Sequence, residues 1–302
     1  MRFMLIFLLL FAIPAFAAEG PVTPPQGEVT AIITGDFKNL KHTGSGRIDK
    51  IIDHQTILLN DGKIVRLLGL HWPFSGPDVH AHDYASLAID RLKKRLPTGT
   101  EVMLYQSRKK EDRINRMGHQ QAHVVIKKTG EWINGDLVRE GTAFALTDAT
   151  HPEMADQLYA FEGQARADNK PIWAGNDGVL YAEHAEAQNN PFFAAIGTGN
   201  TFRVVEGTVA RSATSQNHLY LNFGKDRNKD FTVRITPAIR KELSRRGIDP
   251  MALTGAKLRV RGWLRAWNGP FMELDTPERL EILSQPTTGQ NLIGGPENAK
   301  NQ

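Results

Sequence analysis

The sequence predicts an α+β chain, mainly β, built as two small β-barrels in series, and three observations predict it. Short β-rich runs interleave with three helical stripes between residues 44 and 174. An aperiodic stretch rich in Gly, Asn and Ala follows, and a second set of short strands runs from 202 to 284.

Residues 1–18 carry a basic Arg2, an apolar run from Phe3 to Phe11 and then Ala12-Ile13-Pro14-Ala15-Phe16-Ala17-Ala18, with small residues at signal-peptidase spacing. An uncleaved anchor is the rival reading. The run falls short of the roughly 20 apolar residues a bilayer requires and Pro14 interrupts it, so a cleaved export signal is expected and the protein is placed in the periplasm or outside a bacterial cell. No later segment is long and apolar enough to form a stable membrane span.

The chain has no cysteine, which excludes disulfides, thiolate metal sites, a cysteine nucleophile and lipobox acylation. Its stability must come from packed cores, and its length allows two of them. The isoelectric point is about 9.2, yet the formal net charge is only +4. That supports a polyanion partner weakly, a mildly basic solvated surface being the plainer explanation.

Residues 19–43 read as a Pro-, Thr- and Gly-rich lead-in with a short strand at Val29–Ile33. Gly46–Ile52, Thr56–Asn60 and Lys63–Leu70 then form a three-stranded meander, with Asn60-Asp61-Gly62 as its hairpin turn. Asp83–Leu96 shows a helical stripe of Tyr84, Leu87, Ala88, Leu92 and Leu96 closed by Pro97. Thr100–Gln106 and Gln121–Ile126 are two further strands. Asn134–Glu140 is a short helix ended by Gly141, and His151–Asn169 a longer one, with Met154, Leu158, Phe161 and Ala165 on one face.

Residues 175–201 read as an inter-domain linker. Beyond them, Phe202–Val209, His218–Phe223, Phe231–Ile235, Lys257–Leu264 and Phe271–Leu274 are five strands, with a helical insert at Ile239–Arg246. That count fits a second small barrel, residues 202–284, of the oligonucleotide/oligosaccharide-binding (OB) type. Residues 285–302 are polar, rich in Gly and Asn, and read as a disordered tail.

A set of ordered landmarks goes further. Asp53-His54-Gln55-Thr56 and Val65-Arg66-Leu67-Leu68-Gly69-Leu70 are followed by a turn at Pro73, then by Ala122-His123-Val124, Trp132-Ile133-Asn134, Leu137-Val138 with Gly141, and Pro171-Ile172-Trp173. In this order, residues 44–174 resemble the staphylococcal nuclease (thermonuclease) family, whose pattern has Asp-Gly-Asp-Thr at the first landmark. The resemblance implies a five-stranded OB-type barrel with three helices and a calcium-dependent phosphodiesterase. Such chemistry needs carboxylates for a hard cation, a carboxylate for the attacking water, and two guanidinium forks for the phosphoryl charge.

Carried over position by position, most of these groups are replaced. Gln55 stands at the first metal carboxylate, His71 at the second and Phe74 at the general base. A neutral amide, an imidazole and a phenyl ring serve calcium and proton transfer poorly, so the calcium site is expected to be lost and no cofactor is expected. Arg66 keeps the first phosphate fork, with a buried Arg satisfying loop carbonyls as the competing role. For the second fork an ungapped alignment places His119, and a short insertion places Arg116. The ungapped one is preferred, because the insertion would fall at the mouth of a strand.

His71 and His119, with Gln55 and His54, suggest a repurposed site for zinc, nickel or copper, against which stand neutral hydrogen-bonded histidines and the alternation that turns His54 away from Gln55. His80-Ala81-His82-Asp83 has chelating spacing, with a polar loop and an Asp83 N-cap as the plainer reading. In the second barrel, Val204–Val209, Tyr220–Gly224, Asp230–Val233 and Val260–Leu264 with Asn268-Gly269-Pro270 resemble a domain that often follows nuclease-like domains in exported bacterial proteins. Tyr220, Phe223, Trp263, Trp267 and Phe271, with Lys225, Arg227, Arg261 and Arg265, are candidates for a stacking platform with a basic rim; packing inside the barrel is the alternative.

Three functions are consistent with these residues. The leading one is an exported, catalytically degenerate nuclease-fold protein that binds nucleic acid, another polyanion or a protein. The second is an active phosphodiesterase with a non-standard metal, and the third a structural component that assembles with cell-envelope proteins.

Overall fold

The first barrel closes because one long strand serves two neighbours. In the computed structural model, which describes residues 31–72, 84–174, 178–186, 191–197, 201–226 and 228–286, β1 (Lys41–Asp53) pairs through its second half with β2 (Thr56–Leu59). After β3 (Ile64–Leu67) and the short β4 (Leu70–His71) come α1 (Tyr84–Arg95), β5 (Glu101–Gln106) and β6 (Gln120–Ile126). The first half of β1 pairs with β5, and β3 runs parallel to β6, which closes the ring β1-β2-β3-β6-β5. The expected signal segment, most of the lead-in, Pro73, Phe74, His80, His82, Asp83, Arg227 and the tail from residue 287 lie outside the described residues.

The turns follow the residues. In the β2–β3 loop only Gly62 takes a positive φ, 83°, and the Leu59 amide donates to the Lys63 carbonyl at 2.9 Å. Gly69 also has positive φ, 74°, and a Cβ there would come within 2.5 Å of Leu158, so both conformation and space call for glycine. The helix α2 (Ile133–Arg139) runs up to Gly141, at φ 63°. Next to Ile133, the buried Asn134 accepts from the Val124 amide at 2.9 Å and donates to the Leu68 carbonyl at 2.9 Å. That side chain ties β6 to the segment after β3, which explains the Trp132-Ile133-Asn134 landmark.

The lead-in reading needs correction at its end. The Trp132 amide donates to the Ile33 carbonyl at 2.6 Å, and Phe37 stacks on Tyr105 with ring centroids 4.3 Å apart. Those residues therefore belong to the first barrel. Along α1, Tyr84, Ala88 and Leu92 are buried, whereas Leu87 on the expected stripe is 39% exposed.

The remaining elements are β7 (Phe144–Ala145), α3 (Ala155–Ala167), α4 (Pro171–Ala174), β8 (Val179–Tyr181), α5 (Pro191–Gly197), β9 (Thr201–Thr208), β10 (Arg211–Ser215), β11 (His218–Asn222) and β12 (Thr232–Ile235). The last are α6 (Pro237–Arg245), β13 (Lys257–Ala266), β14 (Pro270–Leu274) and β15 (Leu280–Ser284). The second region is an eight-stranded sheet in the order β10-β11-β12-β14-β13-β9-β8, with β15 also on β13. Only the first ring is closed by hydrogen bonding among the described residues.

The linker reading of 175–201 is corrected too. Strand β8 pairs in parallel with β9, and Phe192 of α5 is fully buried in the core of the second sheet. Elements of three and seven residues are too short to show a period, so the sequence concealed them. From Ile32 onward the chain forms one compact unit, and Phe202 and Val204 of β9 enter the core of the first barrel.

Candidate functional site

Gln55 and His71, the two positions that the resemblance reads as replaced metal ligands, are both in structural use. Gln55 lies in the β1–β2 turn, where its amide donates to Asp53 Oδ1 at 2.7 Å. Its side-chain Nε2 donates to the Leu67 carbonyl at 2.9 Å, a bond that an aspartate could not make. His71 lies opposite Phe144 in the β4–β7 pair, and its ring is 4.7 Å from Phe202 and 5.1 Å from Trp263. Burial, then the nearby Arg279 and His54, lower its pKa to about 4, so it is neutral at physiological pH. His54 packs edge-on against Trp72, centroids 4.5 Å apart.

This donor set does not fit calcium. A hard cation wants several oxygen ligands, and here an amide nitrogen faces a carbonyl while an imidazole sits among aromatic rings. Among the described residues there is also no group of three or more His, Cys, Asp or Glu that could hold a metal.

Arg66 has a different setting. Strand alternation buries Val65 and Leu67 in the barrel and leaves Arg66 exposed on β3, opposite Thr56 and Gln121. It makes no hydrogen bond or ion pair with the described residues. The expected competing role, a buried Arg bonded to loop carbonyls, is therefore not the one adopted.

The second fork position falls in a tight turn. Asn115 Oδ1 accepts from the Met117 and His119 amides at 3.0 Å each, and Gly118 has φ 81°. Arg116 stands exposed at the tip of this turn. His119 precedes β6 directly, half-buried, and its Nδ1 has no hydrogen-bond partner among the described residues.

Three of the expected binding residues of the second region are not on a ligand face. Phe223 is buried against Phe231, with centroids 5.2 Å apart, and Trp263 packs on His71. Arg261 has 0% exposure: it ion-pairs with Glu162 at 2.7 Å and with Glu281, and lies 3.7 Å over the Tyr159 ring. Burial pulls its pKa down, and Glu162, Tyr159 and Glu281 more than offset this and hold it above the usual arginine value. Tyr220 remains half-buried and lines a cavity with Trp267 and Phe271.

Sequence reasoning missed the seam that takes up Arg261. Tyr159, Glu162 and Arg166 lie along one side of α3, while Arg259 and Arg261 share a face of β13. Arg166 and Arg259 both reach Glu206 of β9, at 2.9 and 2.7 Å. Arg279 donates to the Thr147 carbonyl at 3.1 Å. The signal was present as two complementary stripes, Tyr159/Glu162/Arg166 at helical spacing and Arg259/Arg261 at strand spacing.

A closed five-stranded barrel carrying flanking helices is the architecture of an OB-type domain. Residues 64–175 match the family model described as staphylococcal nuclease homologue, and the chain carries a domain of that family. No curated protein matches the chain at a significant level.

Proposed function

We propose that this is an exported nuclease-fold protein that binds single-stranded nucleic acid, or a similar phosphate-bearing polyanion, at the Arg66 edge without calcium-dependent hydrolysis. The observation that carries the reading is the contrast among the inherited positions. Gln55 and His71 are committed to the Leu67 carbonyl and to the Phe202–Trp263 seam, while Arg66 is exposed and unpaired among the described residues. A guanidinium in that setting can fork onto a phosphate at little desolvation cost. Export rests on the Arg2–Ala18 segment; no helix among the described residues is long and apolar enough to cross a membrane.

The test is fluorescence anisotropy of a labelled oligothymidylate with the intact chain in chelator, over a series of salt concentrations. Binding should weaken as salt rises, and Arg66→Ala should weaken it further and lower the salt slope by about one. Affinity independent of both salt and Arg66 would contradict the reading, as would complete absence of binding at low salt. In the latter case, recovery of envelope proteins by the immobilised chain would favour an assembly role.

A further inference from the structure

The second sheet carries a ligand site of different chemistry. Strands β10, β11, β12 and β14 and the β13–β14 turn line a cavity of about 440 Å³, within the roughly 300–1,000 Å³ typical of small-molecule sites. Its aromatic wall is Tyr220, Phe271 and Trp267. Trp267 is 51% exposed.

A lone exposed ring means little, but this one is held in place. Its amide donates to the Gly269 carbonyl at 2.9 Å across a turn in which Asn268 and Gly269 both take positive φ, 50° and 107°. The indole meets Phe271 edge-on, centroids 4.9 Å apart. The Arg234 guanidinium lies 5.0 Å from the Trp267 ring and 5.4 Å from Phe271, and is itself ion-paired with Glu273. The platform is therefore fixed before any ligand arrives, which reduces the ordering cost of binding.

Charge decides what it holds. Single-strand sites join stacking rings to a positively charged groove. Here the polar lining is neutral at Thr214, Ser215, Gln216, Asn222, Thr232 and Asn268, with Arg211 as the single ionic side chain among the lining residues. The charge of Arg234 is directed to Glu273. Amides and hydroxyls both donate and accept, which matches the hydroxyls of a sugar, and the C–H face of a sugar ring suits an indole. We propose that this cavity binds a neutral saccharide, with one ring stacked on Trp267 and its hydroxyls bonded to the neutral lining.

The test is saturation-transfer NMR on the intact chain with chitotetraose, cellotetraose and maltotetraose as probes, and an octathymidylate as competitor. At least one sugar should show transfer. Trp267→Ala should weaken its binding about tenfold or more, Trp267→Tyr should keep part of it, and both variants should keep the wild-type circular dichroism. Arg66→Ala should leave it unchanged, so failure here and failure of the nucleic-acid reading are separable. No transfer from any of the three sugars would overturn the proposal. So would transfer that survives in both Trp267 variants, or displacement by the octathymidylate.

Discussion

Arg66 and Arg261 sit on strands of similar alternation, yet one is exposed without a partner among the described residues and the other is completely buried between Glu162 and Glu281. The difference lies in what covers each strand. Helix α3 lies over β13 and offers Glu162 and Tyr159 to the guanidinium, while Arg66 is exposed on β3. A buried arginine with carboxylates is an element of architecture, and an exposed one without them is available to a ligand. His71 likewise lies on the covered side, against Phe202 and Trp263.

The strongest way to break this comparison is to remove the buried partner. Arg261→Ala should cost about 3–5 kcal/mol in urea unfolding, because Glu162 is left buried and uncompensated. Replacing both residues by apolar ones, Arg261→Met with Glu162→Leu, should recover at least half of that loss. A cost under about 1 kcal/mol for Arg261→Ala would mean that the pair does not hold the seam.

A second test uses pH. The unfolded His71 imidazole takes up a proton near pH 6.5 and the folded one only near pH 4, so between those values the unfolded state binds the extra proton. Stability from this group is present above pH 6.5 and lost as the pH falls towards 4, by up to about 3 kcal/mol. His123, lowered to about 3 chiefly by burial and then by His151, adds a loss of the same sign. In urea midpoints measured across this window, His71→Phe should flatten the slope and leave the His123 share. An unchanged slope would place His71 in water instead of the seam.

The smallest effect is expected at the hairpin. Gln55→Asp removes the bond to the Leu67 carbonyl and brings a carboxylate towards it, at a cost of about 1 kcal/mol. Calcium should not restore the lost melting temperature, because His71 still occupies the second position. A calcium-dependent rise in this variant would show that the old site is closed by Gln55 alone.

Much of the first barrel was legible because its signals are local. The Asn60-Asp61-Gly62 turn, the α1 stripe and the Gly141 stop each depend on a few adjacent residues. The strand at Lys257–Leu264 was legible as well, and the structure has it as β13, Lys257–Ala266. What a single strand cannot state is which surface covers its other face, so Arg261 and Trp263 read as a ligand rim when they are the seam. Strand β8 and helix α5 were hidden by their brevity. Arg66 was singled out by the family resemblance of its Val65–Leu70 landmark, and the alternation that turns Val65 and Leu67 inward accounts for its exposure.

The central claim is that the inherited metal positions have become structure while Arg66 still meets phosphate. It is tested most directly by incubating the purified chain with single-stranded DNA and RNA in calcium, manganese, zinc and nickel in turn, and by measuring cleavage and binding in the same samples. The account predicts salt-sensitive binding that depends on Arg66, with cleavage at background in every metal. Cleavage that requires any one of these metals and disappears in Arg66→Ala would contradict it.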